Sequence, residues 1–239
     1  MLFASPLVPG ALIRRYKRFL ADVTLSDGRG VIATCPNTGS MLGCAEPGSP
    51  VWLSESDDPS RKHRYTWELV AVRSGPGWVL VGINTGLPNR IVREGIESGV
   101  VPELSGYESI RGEVAFGEER SRVDLLLESA GKPPCYVEVK NVTAAVDDGV
   151  APFPDAVSER GAKHLRELAR IAASGARAVQ FYCVQRGDVR EVRPADAIDP
   201  AYGKALREAM AQGVEVLAYR AEVTRRGIRL DTRIPVVCP

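Results

Sequence analysis

Short apolar segments and turn-forming residues alternate through residues 1–84. Glycine, proline, asparagine and aspartate stand between the segments, and helical periodicity is nearly absent, so the pattern predicts a small β-barrel. The first strand is long enough to curve as in an OB-like barrel, although an SH3-like barrel or a small sandwich fits nearly as well. The strands are predicted over residues 11–25, 31–36, 51–56, 65–74 and 78–84.

The pattern changes after residue 84 to an alternation of helices and strands. Apolar residues then recur with the period of a helix or with the period of two that is typical of a strand. Asp155 or Ser158 can cap the helix of residues 154–175, and Gly175 marks its end. Helices are predicted over 87–100, 154–175 and 200–213, and strands over 109–118, 121–129, 135–143, 176–185 and 214–223.

This order predicts a two-domain protein of mixed α+β and α/β class. Residues 1–84 form the OB-like β-barrel. Residues 85–239 form a mixed sheet with flanking helices.

The strand "CYVEVKNVT" carries charge at its centre. Period-two alternation places Glu138 and Lys140 on one face with Tyr136, and Val137 and Val139 on the other. This face is either a solvated ion pair or part of a catalytic site. Asp124 in the preceding strand favours a site, because neighbouring strands run only about 5 Å apart.

Two carboxylates and a lysine in this arrangement are typical of metal-dependent phosphodiester hydrolysis. Asp124 and Glu138 can hold a divalent cation, which lowers the pKa of bound water. Lys140 can orient that water or stabilise the charge of the transition state. A third acid usually completes such a site, and we expect Glu113 to supply it, with Glu103 as the alternative. Asp155 is interpreted as a helix cap.

Composition restricts the metal and the compartment. The chain has 239 residues and a net charge of +1, with 44% hydrophobic and 26% charged residues, which is typical of a globular protein. Two histidines exclude a histidine-rich metal site, so carboxylates favour Mg²⁺ or Mn²⁺. Five scattered cysteines indicate reduced thiols. No secretory signal or membrane span is evident, so we expect a cytoplasmic location.

Two basic clusters are candidate nucleic-acid contacts. The segment "RRYKRF" interleaves Arg14, Arg15, Lys17 and Arg18 with Tyr16, which suits phosphate contacts and base stacking. Arg160 and Lys163 share a face of the helix of residues 154–175 with His164 and Glu167, at spacings of three and four residues. Each cluster could also be a solvated surface.

These segments together resemble the sugar fermentation stimulation protein A family nearly from end to end. The resemblance rests on "LIRRYKRFLADV", "CPNTGSMLGC", "TWELV", "ELSGY", "ERSRVDLLL", "CYVEVKNVT" and "FPDAVSERGAKHLREL". It implies an OB-fold-like N-terminal domain that binds DNA and a C-terminal domain of restriction-endonuclease-like fold, similar to PD-(D/E)XK nucleases. It also implies DNA binding without marked sequence preference and a link to the regulation of sugar (maltose) utilisation genes.

The resemblance assigns the nuclease motif to Asp124, Glu138 and Lys140, with Val123 where the motif has proline. Two functions follow as hypotheses: a metal-dependent nuclease, or a DNA-binding regulator whose nuclease-like domain performs no chemistry. The three retained site residues favour metal binding. A regulator also needs an element that reads sequence, and no convincing helix-turn-helix is present. A single-stranded RNA binder ranks last.

Overall fold

The computed structural model describes residues 1–116, 121–145 and 149–239. The end of the strand predicted over 109–118 therefore lies outside the described residues. The N-terminal half consists of strands and the C-terminal half alternates strands with helices, as the sequence pattern predicts.

The N-terminal domain is a barrel that closes on itself. Its strands are ordered β3-β2-β1-β4-β5-β6, and β3 also pairs in parallel with β5, so that β1–β5 form a ring and β6 extends beyond it. The prediction of a small OB-like barrel is confirmed. The strands are β1 (Val8–Tyr16), β2 (Leu20–Leu25), β3 (Gly30–Thr34), β4 (Pro50–Glu55), β5 (Tyr65–Ser74) and β6 (Gly77–Gly82).

The prediction of one long strand over residues 11–25 is wrong. The chain turns back at Lys17 and Arg18, whose φ angles are 50° and 65°, and β1 and β2 form an antiparallel hairpin. Residues other than glycine rarely adopt this left-handed backbone conformation, and no glycine in the sequence indicates a turn here. Nε and Nη2 of Arg15 donate to the carbonyl of Arg18 at 3.1 and 2.8 Å and stabilise the turn.

The C-terminal domain is built on a six-stranded mixed sheet of order β14-β13-β11-β9-β8-β7. Its centre (β9, β11 and β13) is parallel, and β7, β8 and β14 are antiparallel to their neighbours. A separate parallel pair joins β10 and β12. The strands are β7 (Ser109–Phe116), β8 (Ser121–Glu128), β9 (Cys135–Val142), β10 (Val150–Phe153), β11 (Arg177–Val184), β12 (Glu191–Pro194), β13 (Glu215–Val223) and β14 (Ile228–Ile234).

Three helices cover this sheet: α1 (Pro88–Glu97), α2 (Glu159–Ala173) and α3 (Pro200–Ala211). A short 3-10 helix spans Pro102–Leu104. The sequence pattern missed β10 and β12, which are only four residues long, and the edge strand β14. Over the residues that the structure describes, no helix combines the length and apolarity needed to cross a membrane.

Helix α2 is capped by Ser158, whose Oγ accepts a hydrogen bond from the backbone N–H of Gly161 at 3.0 Å. The interpretation of Asp155 as a helix cap is wrong. Oδ2 of Asp155 instead accepts hydrogen bonds from Ser40 Oγ and from the backbone N–H of Met41, at 3.0 and 2.9 Å. A carboxylate three residues before a cap can reach another domain, and sequence spacing does not reveal this.

Strand β9 is covered on both of its faces. Val137 and Val139 belong to an apolar core that also contains Ile91 and Val92 of α1. The opposite face, which carries Glu138, packs against α2, and Glu138 is only 3% exposed. The solvated ion pair considered from the sequence is therefore excluded.

The two domains share one core. The first eight residues of β5 are buried, and Leu69 and Ala71 belong to the same apolar cluster as α1 and the C-terminal sheet, together with Trp52 of β4. The predicted boundary between residues 84 and 85 falls in the connection from β6 to α1. The barrel and the sheet are consequently packed together through apolar contacts.

We predict that Gly82→Ala destabilises this junction. A Cβ at residue 82 would lie 2.4 Å from Gln185 Oε1 and 2.9 Å from Ile228 Cδ1. Overpacking of this kind costs about 1–3 kcal/mol, which corresponds to a fall in melting temperature of about 2–10 °C. Gly30→Ala is the matched control, because nothing lies within 4 Å of a Cβ there. Equal melting temperatures for the two variants would contradict the prediction.

Candidate functional site

Glu138 lies at the centre of the candidate site. Its Oε1 accepts a hydrogen bond from Lys140 Nζ at 2.6 Å and also contacts His164 Nδ1 of α2. Its Oε2 is buried and has no hydrogen-bond partner among the described residues. One carboxylate oxygen is thus held by two donors, and the other is left available.

The charge of Glu138 is stabilised despite its burial. Burial by itself would raise the pKa of Glu138, because it disfavours the charged form. The hydrogen bond with His164 and the positive charge of Lys140 outweigh that effect and hold the pKa below its usual value. Glu138 is therefore ionised at neutral pH and can act as an anionic ligand.

Asp124 lies where β8 and β9 separate. Residues 125–127 pair with residues 135–137, and beyond them Oδ2 of Asp124 accepts the backbone N–H of Val139 at 2.7 Å. Its Oδ1 accepts a hydrogen bond from Asn89 Nδ2 at 2.9 Å. Burial raises the pKa of Asp124, and the nearby charge of Glu138 raises it further. The carboxylates of Asp124 and Glu138 are thus close enough to interact.

Glu113 of β7, which the sequence suggests as a third acid, contacts the same Asn89 side chain as Asp124 does. Its Oε1 is 3.5 Å from the same Asn89 amide that donates to Asp124. Glu113 has a φ angle of 54°, which is strained for a residue with a side chain. Glu103, the alternative third acid, lies elsewhere: it accepts a hydrogen bond from Tyr219 at 2.6 Å and pairs with Arg233 at 2.9 Å.

A cleft of about 580 Å³ opens beside Glu113, Asp124 and Lys140, whereas the buried Glu138 does not line it. It is lined by the barrel loop of residues 37–39, by the start of α1 and by β9, so both domains form its walls. Its charged lining residues within the described chain are Glu113, Asp124, Asp155 and Lys140. Three carboxylates against one ammonium make the cleft an unfavourable place for a phosphate group unless a cation is also present.

The barrel loop of residues 37–41, which we name the cleft loop, is held from both sides. Nη2 of Arg15 donates to the carbonyls of Asn37 and Gly39 at 2.9 and 2.8 Å. Asp155 holds Ser40 and Met41 from the C-terminal domain, through the hydrogen bonds given above. The cleft loop therefore joins the barrel to the wall of the cleft, a role that the sequence did not reveal.

The basic segment of the barrel divides into structural and exposed residues. Arg15 is engaged with backbone carbonyls, and Arg14 pairs with Asp22 at 2.7 Å and stacks over the ring of Tyr16, 5.1 Å from its centroid. Of the five predicted nucleic-acid contacts in this segment, Arg14 is exposed but paired with Asp22, and Lys17 and Arg18 are exposed at the hairpin turn.

The face of α2 that carries Arg160, Lys163, His164 and Glu167 is only partly a solvated surface, because Arg160 is exposed whereas His164 and Glu167 are buried. His164 and Glu167 are 4% and 0% exposed, because α2 packs between the sheet and α3 and the residues beside its apolar stripe are covered too. Nε of Arg160 donates to His164 Nε2 at 3.3 Å. Lys163 is half-buried.

Sequence reasoning missed His164 and Asn89 as residues of the site. His164 contacts Glu138, and Asn89 contacts Asp124. The available signal for His164 was its position next to Leu165 in the apolar stripe, which places the imidazole near the sheet. No signal was available for Asn89, because its role depends on where α1 begins against β8.

We predict that Asp124→Asn stabilises the protein without metal. Since the pKa of Asp124 is raised, its negative charge opposes folding at neutral pH. The variant removes that charge and keeps an oxygen for the N–H of Val139. Thermal denaturation at neutral pH should show a higher melting temperature for the variant than for the wild type. The gain should shrink as the pH falls and the wild-type carboxyl becomes protonated as well.

The control is Asp27→Asn, which should not stabilise the protein. Hydrogen bonds from the backbone and side chain of Arg29 lower the pKa of Asp27, so that its charge favours folding. A melting temperature of Asp124→Asn at or below that of the wild type at neutral pH would contradict the prediction.

We further predict that Asp155→Ala loosens the cleft loop. The N–H of Met41 would lose its acceptor, and loss of a hydrogen bond worth ~1.4 kcal/mol speeds amide exchange about tenfold. Hydrogen exchange at Met41 measures this effect directly. Asp155→Asn keeps an acceptor oxygen and should retain protection, and the exposed Asp57→Ala should change nothing. Unchanged exchange at Met41 in Asp155→Ala would refute the role of Asp155.

Comparison with known proteins identifies the family of this chain. Residues 86–227 match the family model described as the sugar fermentation stimulation protein RE domain, and residues 13–81 match the SfsA N-terminal OB domain. The two matched regions correspond to the C-terminal sheet domain and to the barrel.

Similar proteins cover the whole length of the chain. Sugar fermentation stimulation protein homologs of Geobacter metallireducens and Geobacter sulfurreducens are 62% and 61% identical, over 99% of this chain and 100% and 99% of theirs. The structure of Pyrococcus furiosus SfsA in complex with Ca²⁺ is 28% identical, with a TM-score of 0.86 over 99% of this chain and 98% of that chain. The resemblance inferred from the sequence is confirmed, and the chain belongs to the sugar fermentation stimulation protein family.

Proposed function

We propose that this protein binds DNA, largely without reading sequence, and hydrolyses phosphodiester bonds with a divalent cation. Asp124 and Glu138 hold the cation, Lys140 assists the hydrolysis, and the barrel binds the DNA strand. The five cysteines form no disulfide, which supports a reducing compartment and hence the cytoplasm.

The unpartnered Oε2 of Glu138 is the observation that carries the proposal. A buried anionic oxygen without a donor is costly, and a cation would relieve that cost. The pKa of Asp124 is raised for a related reason: its charged form is buried and lies near the negative charge of Glu138. Both carboxylates would therefore gain from a positive ion between β8 and β9.

The donor set suits a hard cation that keeps part of its water. Among the residues that the structure describes, no three Asp, Glu, His or Cys side chains form an arrangement ready to hold a metal ion. Mg²⁺ is commonly held by one or two carboxylates, with water and substrate phosphate completing its shell. Mn²⁺ accepts similar ligands. The Pyrococcus furiosus relative was solved with Ca²⁺, which also binds oxygen ligands.

The residues of the chain have distinct roles in this proposal. Asp124 and Glu138 hold the cation, and Glu113 lies close enough to assist them through water. A cation held there would neutralise phosphate charge and lower the pKa of the attacking water. Lys140, at 16% side-chain exposure, donates to the developing negative charge on the phosphate. To do so, its ammonium group must turn from Glu138 toward the cleft.

DNA binding through phosphates follows from the position of the exposed charges. Lys17 and Arg18 project from the hairpin turn, and Arg15 connects that turn to the cleft loop. A DNA strand bound by these residues can continue into the cleft. Phosphate contacts carry no sequence information, so the binding is largely nonspecific.

A second candidate function is a non-catalytic DNA-binding regulator of sugar (maltose) utilisation genes. The ion pair between Lys140 Nζ and Glu138 Oε1, at 2.6 Å, favours this second function, because it neutralises the carboxylate without a metal cation. In that case the three residues stabilise the sheet and the barrel alone would carry the function.

The deciding experiment is cleavage of plasmid and single-stranded DNA with Mg²⁺, Mn²⁺ or no metal. We expect metal-dependent cleavage by the wild type and losses of at least about 100-fold in Asp124→Asn and Lys140→Ala, since both act in the chemical step. Lys204→Ala is the matched control, because Lys204 is exposed on α3. All proteins are purified identically, so a contaminating nuclease would act equally in every sample.

The outcomes separate the two functions. Cleavage that is lost in both site variants and kept in Lys204→Ala supports a nuclease. Gel-shift binding of DNA with no cleavage under any metal condition overturns hydrolysis and leaves the DNA-binding regulator.

A further inference from the structure

We propose that His164 is a positioning residue, which orients the Glu138 carboxylate for the cation, and that Arg160 fixes the orientation of the imidazole. This inference rests on the proposed metal site. It assigns to Arg160 a role different from the phosphate contact expected from the sequence.

The two ring nitrogens of His164 have different partners. Nδ1 contacts Glu138 Oε1, and Nε2 accepts the Nε–H of Arg160 at 3.3 Å. A guanidinium group can only donate, so Nε2 must provide a lone pair. The hydrogen of a neutral imidazole is then on Nδ1, from which it donates to Glu138. Because the ionised Glu138 can only accept, Arg160 and Glu138 both favour this tautomer of the imidazole.

This hydrogen bond determines which oxygen of Glu138 remains available. Oε1 receives donors from both His164 and Lys140, which lie on different elements of the fold. Oε2 is buried without a partner in the described part of the chain. When Lys140 turns toward a substrate, His164 still holds Oε1, so Oε2 keeps its orientation toward the cation.

The backbone beneath the carboxylate is held as well. Gln180 of β11 lies opposite Glu138 in the parallel register, and its Nε2 donates to the Glu138 carbonyl at 3.4 Å. The position of Glu138 is thus set by the sheet, and its side-chain orientation is set by α2. A ligand held in this way loses little freedom when it binds a cation.

A purely structural role for His164 makes a different prediction. If the imidazole only satisfied a buried carboxylate, its loss would lower stability and leave the metal affinity of the folded protein unchanged. A positioning role requires a loss of metal affinity that a suitable donor restores. The two roles are distinguished by measuring metal affinity and stability on the same variants.

The test compares His164→Ala, His164→Asn and His164→Gln for Mn²⁺ binding by calorimetry. The amide nitrogen of asparagine can occupy the place of Nδ1, whereas that of glutamine lies nearer the place of Nε2. Loss of a hydrogen bond that orients a metal ligand typically weakens affinity about 10–100-fold, which we expect for the alanine variant. The asparagine variant should recover most of the affinity, and the glutamine variant should not.

Arg160 offers a second test, which leaves the contact with Glu138 in place. Arg160→Ala removes the donor to Nε2 and should weaken Mn²⁺ binding less than His164→Ala does. Arg166→Ala is the matched control, because Arg166 is an exposed arginine of the same helix. Melting temperatures of all variants confirm that binding is measured on folded protein.

The outcomes distinguish this inference from the proposed function. If the wild type binds Mn²⁺ but cleaves no DNA, hydrolysis fails, and the affinities of the variants still decide the role of His164. Equal Mn²⁺ affinities for the wild type and His164→Ala, or no recovery in His164→Asn, overturn the positioning role. Absence of Mn²⁺ binding in the wild type overturns both the metal site and this inference.

Discussion

Burial of the Glu138 carboxylate at the centre of the C-terminal sheet is the constraint on which the site depends. A charged group removed from water must be compensated by donors, since its desolvation otherwise costs several kcal/mol. Lys140 and His164 provide that compensation at one oxygen. Lys140 lies on the same strand as Glu138, but the contact with His164 requires α2 to pack across β9, so the site depends on the packing of that helix.

The junction of the two domains depends on similar compensation. Asp155 lies in the C-terminal domain and accepts two hydrogen bonds from the barrel, and Arg15 of the barrel holds the other side of the same loop. These contacts make the barrel part of the cleft wall. The apolar core that contains Leu69 and residues of α1 also stabilises this junction.

Most elements of the fold could be predicted because apolar periodicity is a local property. Flanking turn-forming residues identified β5, the period of two identified β9, and the helical period identified α2. The hairpin of β1 and β2 was missed, since its turn uses Lys17 and Arg18 at positive φ without glycine. Asp155 was misassigned because a carboxylate near a helix start caps it in many proteins, whereas here Ser158 does so.

The sequence by itself determined that Asp124, Glu138 and Lys140 lie on successive strands, and that Glu138 and Lys140 share a face. Alternation along a strand shows which residues point the same way, but it carries no information about what covers them. Only the tertiary structure decided that α2 buries this face and brings His164 to Glu138. The physical reason is that burial, and with it the energy of a charge, depends on segments distant in the chain, here 26 residues apart.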